Sequence, residues 1–249
     1  LVHLAAVVTP GKKPDREFEY SVDVLGTANV LQCCLDAGVS QFVVTSSGAA
    51  YGYYADNPPW LTEDDAIRGN PEFAYSDHKR QVEEMLASYR IEHPELRQLV
   101  FRPGTILGTS TRNQITDLFD GKVVMGLKEA DTPFVLIWDQ DVVAVIVQGV
   151  LQNRTGIYNL AGDGALTLRQ IARRMRKPYV EVPVGAVRGG LSVLKKLGRT
   201  QYGPEQVDFL RYRPVLSNVR LKDEFGYTPR KTSAEVFELF LRGRADASA

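Results

Sequence analysis

The chain has 249 residues, 44% of them apolar, enough for one large domain or a domain with a small annex around a sizeable core. Thirty lysines and arginines balance thirty aspartates and glutamates, which excludes an electrostatic footprint for nucleic acid or an anionic membrane. No run approaches the roughly 20 apolar residues of a membrane span and no signal peptide is visible; the cysteine usage predicts a reducing, cytoplasmic setting.

In chain order, LVHLA (1–5) reads as a buried strand, and the following periodic stretch, 15–37, as a helix. Cys33 and Cys34 are adjacent within it, without His or Cys at metal-ligand spacing; they read as helix packing in a reducing compartment, and no metal is expected. Next come strand QFVVTS (41–46), helix 73–92, strand RQLVFR (97–102), strand PFVLIW (133–138), helix 139–152, strand GIYNLA (156–161) and helix 167–175. Continuous apolar strands alternating with amphipathic helices predict an α/β protein built on a doubly wound parallel sheet covered on both faces. Beyond residue 161 the pattern is mostly helical (184–197, 204–211, 218–225 and 232–242), which predicts a smaller lobe over 162–249, interleaved with residues 1–161.

Two stretches carry chemistry. In FAYSDHK (73–79), Tyr75 and Lys79 stand four apart, and Tyr75, Lys79, Val82 and Leu86 fall on one helical face. That face points inward, and a lysine there needs a partner or a task because an unpaired buried ammonium is costly. VVTSSGAAYG (43–52) sets Ser46 and Ser47 at the end of a buried strand, where ligands of parallel sheets bind, followed by small residues that admit close approach. A phenol with a pKa near 10 is a poor base at neutral pH, but a neighbouring ammonium lowers that value. Ser47 then holds a substrate oxygen while Tyr75 takes or returns its proton.

These motifs resemble the extended short-chain dehydrogenase/reductase superfamily, the branch of UDP-galactose epimerase and other NAD-dependent sugar epimerases and dehydratases. LVHLAA (1–6), SVDVLGTANVL (21–31), VVTSSGAAYG, YSDHK, FRPGTILG (101–108) and WDQDVVAVIV (138–147) follow one another in the family's order, and the resemblance extends to about residue 240. It implies a Rossmann-like fold with a C-terminal substrate lobe, and NAD as cofactor, with NADP as the other candidate. Catalytic roles fall on Ser47, Tyr75 and Lys79. Cofactor contacts fall on Leu4, Ala5, Ala6, Val7, Asp23, Thr45, Ser46, Tyr75, Lys79, Pro103, Gly104 and Thr105. The substrate, a nucleotide-linked sugar, is expected against Ser47, Gly48, Thr105 and Arg211, the last from RYRP (211–214), since a guanidinium grips two phosphate oxygens at once. The resemblance also implies a homodimer through helices 15–37 and 73–92.

The chain departs from the family at two places. Asp23 stands where the family has Asn, and an ionised carboxylate only accepts hydrogen bonds. None of the 21 glycines forms the Gly-rich pyrophosphate loop that the family carries upstream of LVHLAA, so the sequence reads as N-terminally truncated. The expected chemistry is NAD-dependent epimerisation or dehydration. Asp77 points away from Tyr75, about 200° round the helix, which favours epimerisation over dehydration. Two alternatives remain: an NAD(P)H-dependent carbonyl reductase or hydroxysteroid-type dehydrogenase, and a non-catalytic dinucleotide-binding sensor or scaffold.

Overall fold

Strands made of unbroken apolar residues must be covered on both faces, and the computed structural model, which describes residues 1–8, 15–128, 130, 133–198, 203 and 206–246, shows how that is done. The elements run β1 (Val2–His3), α1 (Arg16–Tyr20), a π-helical segment (Ser21–Leu25), α2 (Gly26–Asp36), β2 (Gln41–Thr45), a 3-10 turn (Gly48–Tyr51), α3 (Ala74–Glu92) and β3 (Arg97–Pro103). They continue through β4 (Thr105–Leu107), α4 (Gln114–Asp117), β5 (Val124–Leu127), β6 (Pro133–Phe134), β7 (Leu136–Trp138), α5 (Asp139–Leu151) and β8 (Gly156–Leu160). The last are β9 (Leu166–Thr167), α6 (Leu168–Arg174), β10 (Tyr179–Val182), α7 (Val184–Lys196), α8 (Gln206–Arg211), α9 (Val219–Asp223) and α10 (Ser233–Asp246).

The main sheet is parallel, with strand order β1-β2-β3-β8. Successive side chains of a strand leave opposite faces, and the core divides accordingly. Phe42, Val44 and Val100 pack with Val24, Leu31, Cys34, Val82 and Leu86, beneath the first helices and α3. Val43, Leu99 and Phe101 pack on the other face with Val142, Val145, Leu221 and Phe225 from α5 and α9. Gly149 lets α5 lie close: a Cβ there would stand 2.4 Å from Leu99 Cδ2. The result is the doubly wound, Rossmann-like α/β arrangement.

The expected strand at 133–138 does not join this sheet. It divides at Val135: β6 pairs antiparallel with β9, and β7 pairs parallel with β4. A further ladder, β5 with β10, had no clear sequence pattern. The β6–β9 and β5–β10 ladders cross residue 161, and a third core joins Phe119, Phe134 and Leu136 to Ile171, Val236, Phe237 and Phe240. The two parts are therefore bound together through shared strands. Residues 204 and 205, the start of the expected helix 204–211, lie outside the described residues.

The expected helix 15–37 is not uniform either. Its middle turn widens into the π segment, where the Thr27 hydroxyl donates to the Asp23 carbonyl at 2.6 Å, inserting a side chain into the backbone ladder. Cys34 is buried but Cys33 is exposed, so only one of the pair packs inward.

A polar spine crosses the core. Arg102 on β3 grips Glu83 on α3, Nε to Oε1 at 2.8 Å and Nη2 to Oε2 at 2.5 Å, with both side chains about 5% exposed or less. Arg102 Nη1 donates to the Tyr51 hydroxyl at 2.8 Å, which lies 2.9 Å from Asn159 Oδ1 on β8. The Ser46 hydroxyl donates to Glu83 Oε1 at 2.5 Å. Removing one member of a buried pair strands the other. Arg102→Met is therefore expected to cost ~3–5 kcal/mol in urea unfolding, with Glu83→Gln in the same chain recovering a large part of it.

Candidate active site

The site forms at the carboxyl ends of β1, β2 and β3. β2 ends at Thr45, and the chain then turns through Ser46 and Ser47 into the 3-10 segment, which Ser47 caps by accepting from the Ala49 N–H at 3.1 Å. The turn is fixed to α3 because the Ser76 hydroxyl donates to the Ala49 carbonyl at 2.7 Å. That bond brings the first turn of α3, with Tyr75, against Ser47. The two hydroxyls share a hydrogen bond that favours the phenolate, yet burial dominates and pushes the Tyr75 phenol up to about 12.

One turn further on, Lys79 is 5% exposed, as the helical spacing with Val82 and Leu86 requires. Its Nζ donates to the Thr45 carbonyl at 3.0 Å and stands 5.8 Å from the centre of the Tyr75 ring. Burial pushes its pKa down, while the carboxylates of Asp23 and Glu83 pull it back up. An ammonium carries three donors, so the Thr45 bond leaves others for ligand hydroxyls.

Leu4 and Ala5, after β1, are exposed, and Ala6 and Val7 are half-buried, forming an open floor. Asp23, expected against a cofactor, spends its carboxylate on the protein. Oδ1 accepts from the Val7 N–H at 2.7 Å, and Oδ2 lies 3.3 Å from His78 Nδ1. Ser46 likewise spends its hydroxyl on Glu83. Pro103 is buried, Gly104 lies tight against Val135, and Thr105 is half-buried at the rim. Gly48 lies beneath Leu216, whose Cδ1 would be 3.0 Å from a Cβ.

Several rim residues had no role assigned from the sequence. Tyr53, Phe73 and Phe209 form an aromatic wall, with ring centres 4.5 to 5.7 Å apart, that reaches Tyr75 through Phe73 at 6.2 Å. Phe73 sits inside FAYSDHK, so its neighbourhood to Tyr75 was readable; Phe209, from α8, was not. Arg211 stacks over Tyr212 at 5.0 Å. Its neighbour Arg213 is the arginine that turns to the site: its guanidinium lies 4.3 Å over Phe134, and Nη2 reaches Thr105 Oγ1 at 3.4 Å. Among the described residues no carboxylate pairs with it; burial lowers its pKa, opposed by Tyr53. Asp77 is occupied by Arg16 and Arg80, each at 2.8 Å, and is no base for this site. Among the described residues no cluster of His, Cys, Asp or Glu is arranged to hold a metal, and no helix is long and apolar enough to cross a membrane.

This arrangement can hold a hydroxyl between Ser47 and Tyr75, move its proton, and present an ammonium beside it. A family model described as the NAD dependent epimerase/dehydratase family matches residues 1–141. An uncharacterized protein of Mycobacterium tuberculosis is 24% identical over 245 residues, 98% of this chain, and the chain spans 65% of that relative's length. Among solved structures, a short-chain dehydrogenase/reductase superfamily protein of Agrobacterium tumefaciens with bound NAD matches with a TM-score of 0.73 at 19% identity, over 100% of this chain and 80% of the other. A UDP-glucose 4-epimerase of Thermotoga maritima with UDP-glucose matches with a TM-score of 0.72 at 16% identity, over 100% and 77%.

The buried ammonium makes a test of this geometry. A lysine whose folded pKa is depressed binds fewer protons folded than unfolded between the two pKa values, so its burial penalty shrinks as pH rises. Lys79→Met, which removes the charge and keeps the volume, is expected to be as stable as the parent or more so at pH 7. Denaturant melts from pH 7 to pH 10 should show that margin narrowing.

Proposed function

The chain belongs to the NAD-dependent epimerase/dehydratase family, and from that premise we propose that it carries the proton-transfer half of a nucleotide-sugar epimerase. The observation that supports this best is the convergence of Ser47, Tyr75 and Lys79 at the end of β2 and the start of α3, with Lys79 buried and only partly hydrogen-bonded.

NAD, when bound, supplies a hydride acceptor at its nicotinamide ring. Lys79 Nζ, Leu4 to Val7 and the Pro103–Thr105 strand end would hold it, and the spare Lys79 donors suit ribose hydroxyls. Ser47 orients a sugar hydroxyl toward Tyr75. Tyr75, once ionised to the phenolate, takes that proton as the carbon beneath is oxidised, and returns it when the carbonyl is reduced. With its phenol pushed up to about 12, Tyr75 ionises, and so becomes able to take a proton, only when positive charge is added beside it. Lys79 is the chain's own contribution to that charge.

Arg213 supports a diphosphate-linked substrate, because a desolvated guanidinium without a carboxylate partner among the described residues is suited to a phosphate. Epimerisation is favoured over dehydration because Asp77 is locked by two arginines. A second reading, reduction of a flat apolar ketone, draws on the Tyr53–Phe73–Phe209 wall. We also propose a homodimer. Phe18 and Leu25 are exposed on the face available for pairing, whereas Val24 and Leu31, which the helical pattern leaves off the main stripe, are in the core.

Full-length protein should be assayed with UDP-sugars and with cyclic ketones in the presence of NAD or NADPH. Tyr75→Phe is expected to lower kcat by roughly 10²–10⁴-fold with NAD affinity held. Arg213→Leu is expected to raise KM for a UDP-sugar and to leave KM for a ketone alone. Unchanged turnover in Tyr75→Phe refutes the catalytic role, and ketone turnover indifferent to Arg213 with none on UDP-sugars selects the second reading.

A further inference from the structure

Among the described residues, Gln98 holds the one buried side-chain polar atom that lacks a hydrogen-bond partner. It lies on β3 in the run RQLVFR, is 4% exposed, and shares a strand face with Val100 and Arg102. Its Oε1 accepts from Arg90 Nη2 at 3.0 Å, while its Nε2 has no acceptor. A buried amide N–H left without an acceptor costs the desolvation of that donor, and folded proteins leave few of them empty. An apolar residue avoids that cost, as the fully buried Val100 does two positions further along the same face.

Gln98 lines a cleft of about 400 Å³ together with Arg90, Leu96, Arg97, Thr155 and Gly156. The cleft opens at the amino ends of β3 and β8, whereas Ser47, Tyr75 and Lys79 gather at the carboxyl ends of the strands. Arg90 comes from the last turn of α3, the helix whose first turn carries Tyr75. The two sites therefore stand at opposite ends of the sheet.

Both arginines reach the cleft without a carboxylate. Arg90 bonds Gln98, and Arg97 donates to Asn153 Oδ1 at 2.8 Å and to the Ser40 carbonyl at 3.4 Å. Of the two acids between them in the chain, Glu95 lies 3.4 Å from His93 Nδ1 and Glu92 is exposed. Partial burial lowers the pKa of Arg90, opposed by Glu83 and helped by Arg102. Glu83 is itself gripped by Arg102, so it does not serve Arg90 as a partner.

We propose that this cleft is a second ligand site, for a phosphate group, with Gln98 Nε2 and the unused N–H groups of Arg90 and Arg97 as its donors. A guanidinium carries five donors in a fork that fits phosphate oxygens, and two of them match the double charge of a phosphate. The singly charged carboxylate would leave one guanidinium without a counter-charge. Gly156 adds no side chain to the cleft, and a Cβ there would stand 2.9 Å from the Tyr158 hydroxyl. The site is independent of the reaction assigned to Tyr75, and its test reads binding alone.

Two sources share this chemistry: the free ion, and a phosphoryl group carried on a nucleotide. The test follows the Gln98 side-chain amide NMR signal in the full-length protein, assigned by its loss in Gln98→Met. With NAD added to fill the cofactor site, inorganic phosphate and adenosine monophosphate are titrated in separate arms. The Gln98 signal is expected to shift and to saturate, and the tighter of the two ligands identifies the source. Calorimetry should show Arg97→Met and Gln98→Met each weakening that binding roughly tenfold, with Arg213→Leu leaving it unchanged. A Gln98 signal that neither ligand moves overturns the proposal, and so does binding that moves with Arg213→Leu alone. Should Gln98→Met not fold, Arg97→Met, at an exposed position, decides the matter: calorimetric affinity equal to the parent's overturns the site.

Discussion

The joint on which this molecule turns is the buried contact between Arg102 and Glu83. It fastens α3 to β3 at the depth of the core, and through Ser46 it also fixes the end of β2. Those are the elements that carry Tyr75, Lys79 and Ser47. A parallel sheet ends in loops, and loops alone are poor supports for groups that must meet within hydrogen-bond reach. The spine of Arg102, Glu83, Tyr51 and Asn159 ties those strand ends to the interior, and each polar group in it has a partner. Such a network is expensive when broken and rigid when complete.

The same economy explains the shape of the first helical stretch. A regular helix from residue 16 to 36 would turn its middle carbonyls along the ladder; the widened turn at 21–25 places the Asp23 carboxylate under the segment that follows β1. Val7 has left the strand and needs a partner for its N–H, and Asp23 supplies it. One irregular turn thus satisfies an orphan donor and holds the Asp23 carboxylate against His78. Irregular turns of this kind recur where a fold trades local stability for a site.

Much of the fold was legible in the sequence because its signals are local. The runs FVVT and LVF are apolar without interruption, and only a sheet covered on both faces demands that. The phase of Tyr75, Lys79, Val82 and Leu86 is a property of one helix, so the burial of Lys79 could be read from spacing alone. The strand at 133–138 misled for a related reason: an apolar run says that a segment is buried, not which ladder it joins, and Val135 splits it between two. The contacts of Phe209 with Phe73, of Arg213 with Phe134 and Thr105, and of Asp23 with His78 join residues far apart in the chain. Nothing in the local pattern of either partner announces the other. The π segment hides similarly, since its residues are compatible with an ordinary helix and the deviation comes from what Asp23 and Thr27 bind.

What unites these long-range contacts is that they concern charge in a place with little water. Tyr75, Lys79, Asp23, Glu83, Arg102 and Arg213 all lie around the ends of β2 and β3, and burial opposes the charged form of each. Two of them, Glu83 and Arg102, cancel each other in full contact and act as structure. Lys79 has one hydrogen bond, to the Thr45 carbonyl, which leaves donors to spare, and burial pushes its pKa down. Tyr75 has its hydroxyl bond from Ser47 and stays a neutral phenol. Arg213 has an aromatic ring and a threonine but no carboxylate among the described residues. The degree of compensation therefore falls along a line from the core to the rim, complete at Arg102 and least at Arg213. Groups at the incomplete end gain most from an arriving ligand of opposite charge, and that gradient, more than any single residue, is what the proposed diphosphate site rests on.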